Sequence, residues 1–179
     1  MALILPAICS LVEHIKTLQS NPEAYRPECC PGCDKAGLWC HGHYTRQAER
    51  ENSGQQSLNP VPIPRFFCPH CKHTCSVLPE CIPPRRWFLW LTQQAALALL
   101  LSGHSIYHVS EKLPPAWGTI KHWQQRWLEC FQLHRFHLCS QHPDLGRYSE
   151  FKPFWNACLK RFSLSSIMVF LNEKGLCVP

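Results

Sequence analysis

Two short stretches constrain this chain more than any others: Cys30-Pro31-Gly32-Cys33 and Cys68-Pro69-His70-Cys71. Both read Cys-Pro-x-Cys. Two thiolates two residues apart grip one metal ion from a tight turn, and two such turns supply the four soft ligands of a closed tetrahedral zinc site. Gly32 suits a turn that takes a positive φ, and the prolines stiffen each approach. A single Cys-x-x-Cys is a weak signal; two with the same internal pattern, separated by a hairpin-sized insert, are a strong one. The expected metal ligands are Cys30, Cys33, Cys68 and Cys71, and the expected cofactor is Zn2+. Cys40, His41, His43, His70, His73 and Cys75 crowd the same region, and any of them is an alternative ligand. Cys29 competes with Cys30, but only Cys30 keeps the two-residue spacing.

The chain has 179 residues, room for one ordinary domain or two small ones. Hydrophobic residues make up 45 %, enough for a real core, and charged residues only 17 %. A net charge of +6 with 11 histidines permits a polyanionic partner without establishing one. Thirteen cysteines cannot all pair, and the knuckle spacing argues for reduced, metal-bound thiols in the cytoplasm. Met1 to Pro6 lacks a basic start and no cleavage site follows, so no secretory signal is expected. The longest apolar run, Ala95 to Leu101, is far too short to span a membrane.

The patterning predicts an α+β chain in four parts. Residues 1–26 read as an N-terminal amphipathic helix, with Leu11, Ile15 and Leu18 on one face of a helix over 3–19. Residues 27–80 read as a zinc ribbon: a strand from Leu38 to Arg46, a turn at Asn52-Ser53-Gly54, and a return strand from Val61 to Phe67. Pro62 and Pro64 are expected to confine that return strand to an edge. Residues 81–134 read as a helix-turn-helix. Its first helix, Trp87 to Leu101, is apolar almost all round and so should be buried. Ser105 caps a second helix carrying Ile106, Val109 and Leu113. Pro114-Pro115 forces a turn, and a third helix spans Trp117 to Leu133 with Ile120, Trp123 and Trp127 as its inward stripe. Residues 135–179 form a helical tail, with short helices at Phe154–Phe162 and Ser165–Asn172.

These residues resemble a known group. Cys30-Pro31-x-Cys33, His41-Gly42-His43-Tyr44-Thr45-Arg46, Ile63-Pro64-Arg65-Phe66-Phe67-Cys68-Pro69-His70-Cys71 and Thr74-Cys75-Ser76-Val77-Leu78-Pro79 are similar to the bacterial transposase-type zinc ribbon. Leu113, Thr119, Ile120 and Trp123 add the helix-turn-helix spacing of small insertion-sequence proteins. The likeness covers residues 29 to about 130. It departs at Cys75, where an aromatic is usual, at Pro114, where the turn glycine stands, at Ala116, the cap position, and at Trp117-Gly118, where short polar side chains are common.

The resemblance implies a zinc-binding, non-catalytic DNA-binding protein of mobile-element origin, a regulator or accessory factor. In that reading the third helix faces double-stranded DNA through Thr119, Lys121, His122 and Gln125, while Arg85, Arg86, Lys112 and Arg126 neutralise phosphates. The ribbon adds backbone contacts through Arg46, Arg50, Arg65 and Lys72. Catalysis is not expected. Two-metal DNA cleavage needs clustered carboxylates, the only aspartates are Asp34 and Asp144, and about 45 residues follow the third helix. A truncated transposase, or a partner of a separate one, is an alternative. So is a protein–protein adaptor or homo-oligomer, since seven tryptophans, among them Trp87, Trp90, Trp117 and Trp155, exceed what one small core needs.

Overall fold

The computed structural model describes residues 2–48, 58–84 and 88–176. It is an α+β protein: among these residues there are one four-stranded sheet and seven α-helices. The chain divides into two compact units, Met1–Leu89 and Trp90–Pro179. The Asn52-Ser53-Gly54 turn, Arg50, Arg85, Arg86 and Trp87 lie outside the described residues.

The first unit is built on a sheet of order β1-β4-β3-β2, with β1 at Ala2–Leu5, β2 at Trp39–Arg46, β3 at Val61–Phe67 and β4 at Thr74–Pro79. The chain therefore starts as a strand, not as the expected helix from residue 3. Ala2–Leu5 pairs parallel to Ser76–Pro79 and stops before Pro6 and Ala7, which sits at φ 71°. Helix α1 begins only at Leu11 and runs to Ser20. Ser10 caps it by accepting the Glu13 N–H, and Glu13 reaches back to the Cys9 N–H.

β3 is interior, not an edge. It pairs with β2 along its whole length but with β4 only over Arg65–Phe67. Pro62 and Pro64 occupy the half that β4 does not reach, so their missing N–H groups cost no ladder bond there. That half faces α1, where the buried His14 receives the Pro62 carbonyl: His14 Nε2 donates across 2.8 Å, and Nδ1 accepts from the Tyr25 hydroxyl. Burial holds the imidazole below its ordinary pKa, which matches a neutral ring with one donor and one acceptor nitrogen. Gly42, at φ 72°, lies in the β2 irregularity between Cys40 and His43, a bend that a side chain would strain.

Each sheet face carries its own small core. Ile8, Tyr25, Leu38, Phe66, Cys75 and Val77 pack with Cys30 and Cys68 on one side. Leu11, Ala48, Val61, Ile63, Leu78 and Ile82 pack on the other.

The second unit gathers round α2, Trp90–Leu101, which packs on α3 (Ile106–Lys112), α4 (Trp117–Glu129), α6 (Phe151–Arg161) and α7 (Leu164–Glu173). Its nearly uniform apolar sequence is what a helix touched from several sides requires. Gly103, at φ 90°, ends it, with the Gly103 and His104 N–H groups returning to Leu100 and Leu99. Gln94 accepts the Leu164 N–H at 2.7 Å and so ties α2 to the first turn of α7. Ile120, Trp123 and Trp127 are buried, as their spacing requires.

The third helix ends earlier than expected. It stops at Glu129, and Cys130 joins it to α5, Phe131–Gln141. The break occurs without glycine or proline; it lets Phe131 meet Phe151 and Phe154 edge-on. The segment expected to be a tail is part of this core, with Trp155, Phe154 and Met168 fully buried. Trp90 is buried too, so the tryptophan surplus is mostly consumed inside, and only Trp39 and Trp117 are broadly exposed among the described tryptophans.

Candidate metal centre

The two knuckles are the same structure used twice. In the first, Asp34 N–H bonds the Cys30 carbonyl at 2.8 Å and Cys30 N–H bonds the Lys35 carbonyl at 2.9 Å. In the second, Lys72 N–H bonds the Cys68 carbonyl and Cys68 N–H bonds the His73 carbonyl, both at 2.9 Å. The residue after each second cysteine, Asp34 (φ 56°) or Lys72 (φ 59°), takes the left-handed conformation. Gly32 is not among the positive-φ residues, contrary to expectation; its N–H donates to Cys30 Sγ at 3.4 Å.

The turns bring four sulfurs together. Sγ atoms of Cys30, Cys33, Cys68 and Cys71 all lie within 4.8 Å of one another, the only such group of potential ligands among the described residues. Cys30–Cys71 and Cys33–Cys68 are 3.6 Å apart, far beyond a disulfide bond. A tetrahedron with metal–sulfur bonds of about 2.3 Å has edges of about 3.8 Å. The donor set therefore fits one tetrahedral metal ion with little adjustment.

Backbone N–H groups point at these sulfurs. Those of Cys71 and His70 hold the Cys68 thiol down to about 7, helped by the Cys33 and Cys30 thiols. The Lys35 N–H favours the Cys33 thiolate and the His73 N–H the Cys71 thiolate, but burial and neighbouring thiols outweigh them. Cys33 is raised and Cys71 is pushed up to about 12. Without a cation the Cys68 thiolate thus forms more readily than those of Cys33 and Cys71. A divalent cation favours the thiolate form of each.

The competing ligands sit elsewhere. Cys40, His41 and His43 are exposed on β2, His70 and His73 are exposed, and Cys75 is buried in the core beneath the quartet. Cys29 is exposed and bridges to Ala36.

The residues expected to face DNA are divided. Lys121, His122 and Gln125 are exposed on α4, opposite its buried stripe, and Thr119 is half-buried. The Lys121 ammonium lies 4.9 Å from the Trp117 ring centroid, and Gln125 donates to Glu129 at 2.8 Å. Arg126 is half-buried near His134 rather than extended toward solvent. Ala116 makes no side-chain cap, as its sequence implies. Sequence reasoning missed His14; its place between Leu11 and Leu18 on the apolar stripe of α1 was the available signal.

No helix is long and apolar enough to cross a membrane among the described residues. No curated protein matches the chain, and no solved structure matches it. A family model described as a domain of unknown function (DUF6431) matches residues 30–123, just over half of the chain, and that description names no transposase. With a match that starts at the first knuckle cysteine and ends at Trp123 in α4, the chain belongs to this family, DUF6431.

Proposed function

We propose that this is a zinc-binding, non-catalytic DNA-binding protein of transposase-like, mobile-element ancestry, acting as a regulator or accessory factor. The observation that carries the reading is the four-sulfur cluster of the first unit, with one pair of cysteines ahead of β2 and the other in the turn between the antiparallel strands β3 and β4. The other unit carries the short pair α3 and α4. Zinc is the ion of choice for four thiolates in a tetrahedron, and four protein sulfurs leave no open position for a reactive water. The site is then structural: it clamps a zinc ribbon. Reduced thiols suit the cytoplasm.

α3, the Leu113–Ala116 turn and α4 act as a helix-turn-helix, with α4 entering the major groove. Its exposed Lys121, His122 and Gln125 carry the contact, Lys121 to phosphate or a guanine edge and Gln125 to adenine. Thr119 flanks them, Arg126 contributes less because of its burial, and Arg85 and Arg86 remain phosphate partners. Asp144, one of only two aspartates, is ion-paired with Arg161, which favours a binding role over carboxylate-metal catalysis.

A second reading, an adaptor that self-associates or binds a transposase, is favoured by exposed apolar side chains on the helical unit, Leu91, Tyr107, Leu128, Leu133 and Phe136. Selection of bound duplex from a random DNA pool by the purified zinc-loaded protein separates the two. Enrichment of a common site supports the DNA reading. No enrichment, with sedimentation showing a dimer or a recovered partner, replaces it with the adaptor.

A further inference from the structure

The sheet of the first unit turns an unusual surface to solvent. On the face that carries Val61, Ile63 and Leu78 further along, the core ends before Arg65, and an aromatic group takes over. Trp39 stands opposite Phe67 across the β2–β3 ladder, their ring centroids 6.3 Å apart. His41 lies 5.9 Å from the same Phe67 ring, inclined by 35°. Trp39 is 62 % exposed, an extreme value for the largest apolar side chain in a strand.

Arg65 lies beside this group and is held by Thr74 Oγ1 at 3.1 Å, so its guanidinium is fixed at the surface without an acidic partner in that bond. Strands β2, β3 and β4 carry Arg46 and Arg65, two histidines and not one carboxylate. Two exposed rings, Trp39 and His41, on a half-buried Phe67 and beside a half-buried arginine, on strands free of negative charge, fit a chain of stacked bases joined by phosphates. Bases offer a π-face of any sequence, and phosphates complement the guanidinium. A purely apolar partner would leave Arg65 without a counter-charge.

We propose that Trp39, His41 and Phe67, with Arg65 as the phosphate contact, form a stacking platform for single-stranded nucleic acid. It is separate from the α4 face and does not depend on the duplex reading. Trp39 takes one base face-on, and His41 with Phe67 takes a neighbour. The rings read no hydrogen-bond pattern, so recognition is tolerant of sequence.

The test uses the full zinc-loaded chain and labelled dT12, U12 and a mixed duplex, with heparin as a polyanion that has no bases. Trp39→Ala should weaken dT12 or U12 binding about five- to 150-fold, the loss of one base–aromatic stack. Trp39→Phe should recover most of it, and both variants should keep the wild-type zinc content. The ratio of dT12 to U12 affinity tells DNA from RNA. Lys121→Ala should change duplex binding alone, so failure of either reading is seen separately. Wild-type affinity for dT12 and U12 in Trp39→Ala overturns the platform. So does heparin binding as tight as dT12 and equally sensitive to Trp39→Ala. Loss of self-association in Trp39→Ala, with no oligonucleotide bound by the wild type, also overturns it and gives this face to a second copy of the chain.

Discussion

The sulfurs of Cys30 and Cys71, carried by two turns of identical hydrogen bonding, stand 3.6 Å apart. Nothing in the apolar core demands that four polarisable thiols meet at one point, and a shared metal ion accounts for it. Protein purified without added zinc should contain about one zinc per chain. Structural zinc sites bind with apparent energies of roughly 10–16 kcal/mol near neutral pH. Cys68→Ser should therefore unfold the first unit and leave the helices from Trp90 onward folded. Retention of full zinc content by Cys68→Ser, measured by elemental analysis, would remove Cys68 from the ligand set.

The Lys121 ammonium over the Trp117 ring fixes where one cation of α4 points. If it meets phosphate, Lys121→Ala should reduce the salt slope of duplex binding by about 0.9. If it reads a base, the same change should cost ~1–3 kcal/mol at one base pair. Trp117→Ala should weaken duplex binding in the same direction by loosening the lysine. A salt titration in which Lys121→Ala and Gln125→Ala match the wild type while Arg65→Ala does not would move the duplex contact to the first unit.

The metal quartet was legible because its signal is local: ligand spacing of two residues, repeated with the same proline. The inward stripe of α4 and the Ser105 cap were legible for the same reason. What was not legible depends on distant partners. Leu3-Ile4-Leu5 has no period of its own, and it becomes a strand only because Val77 to Pro79 lies alongside. Pro62 and Pro64 read as edge markers, but how far β4 extends along β3 is a tertiary fact. The α4–α5 break at Cys130 has no breaker residue to announce it; the aromatic packing of Phe131 accompanies it. Trp90 and Trp155 read as surplus in the sequence because their burial depends on the last two helices packing into the core of the second unit.

His14 joins three elements through two hydrogen bonds, to Tyr25 and to the Pro62 carbonyl. His14→Leu keeps the volume close but leaves a buried phenol and a partly buried carbonyl without partners. Each orphaned group costs about 1–3 kcal/mol, so the zinc-loaded first unit should lose roughly 2–6 kcal/mol in denaturant unfolding. Tyr25→Phe in the His14→Leu background should recover part of that loss, since it removes one orphan. Equal stability of His14→Leu and wild type would mean the bridge contributes nothing net.

His134 should make the helical unit sensitive to acid. It is 1 % exposed, packed edge-on against Trp155 with ring centroids 6.1 Å apart, and its Nδ1 has no hydrogen-bond partner. Burial, with His137 and Arg126 nearby, pushes its pKa down to about 4 from the ordinary 6.5. The folded state therefore resists a proton that the unfolded state accepts. Above pH 6.5 neither state is protonated and the unit has its full stability. As pH falls from 6.5 toward 4 the unfolded chain alone gains the proton and stability drains away, by about 3 kcal/mol when both states are charged. Zinc loss from the first unit runs in the same direction, because thiolates are protonated in acid. The readout must therefore belong to the second unit, and emission from the buried Trp123, Trp127 and Trp155 serves once Trp39 and Trp87 of the first unit are replaced by Phe. His134→Phe keeps an aromatic ring against Trp155 and has nothing to titrate. Its unfolding free energy should be nearly flat between pH 6.5 and 4, where the wild type declines, with or without a zinc chelator. A wild-type decline that persists unchanged in His134→Phe would place the acid sensitivity on another group.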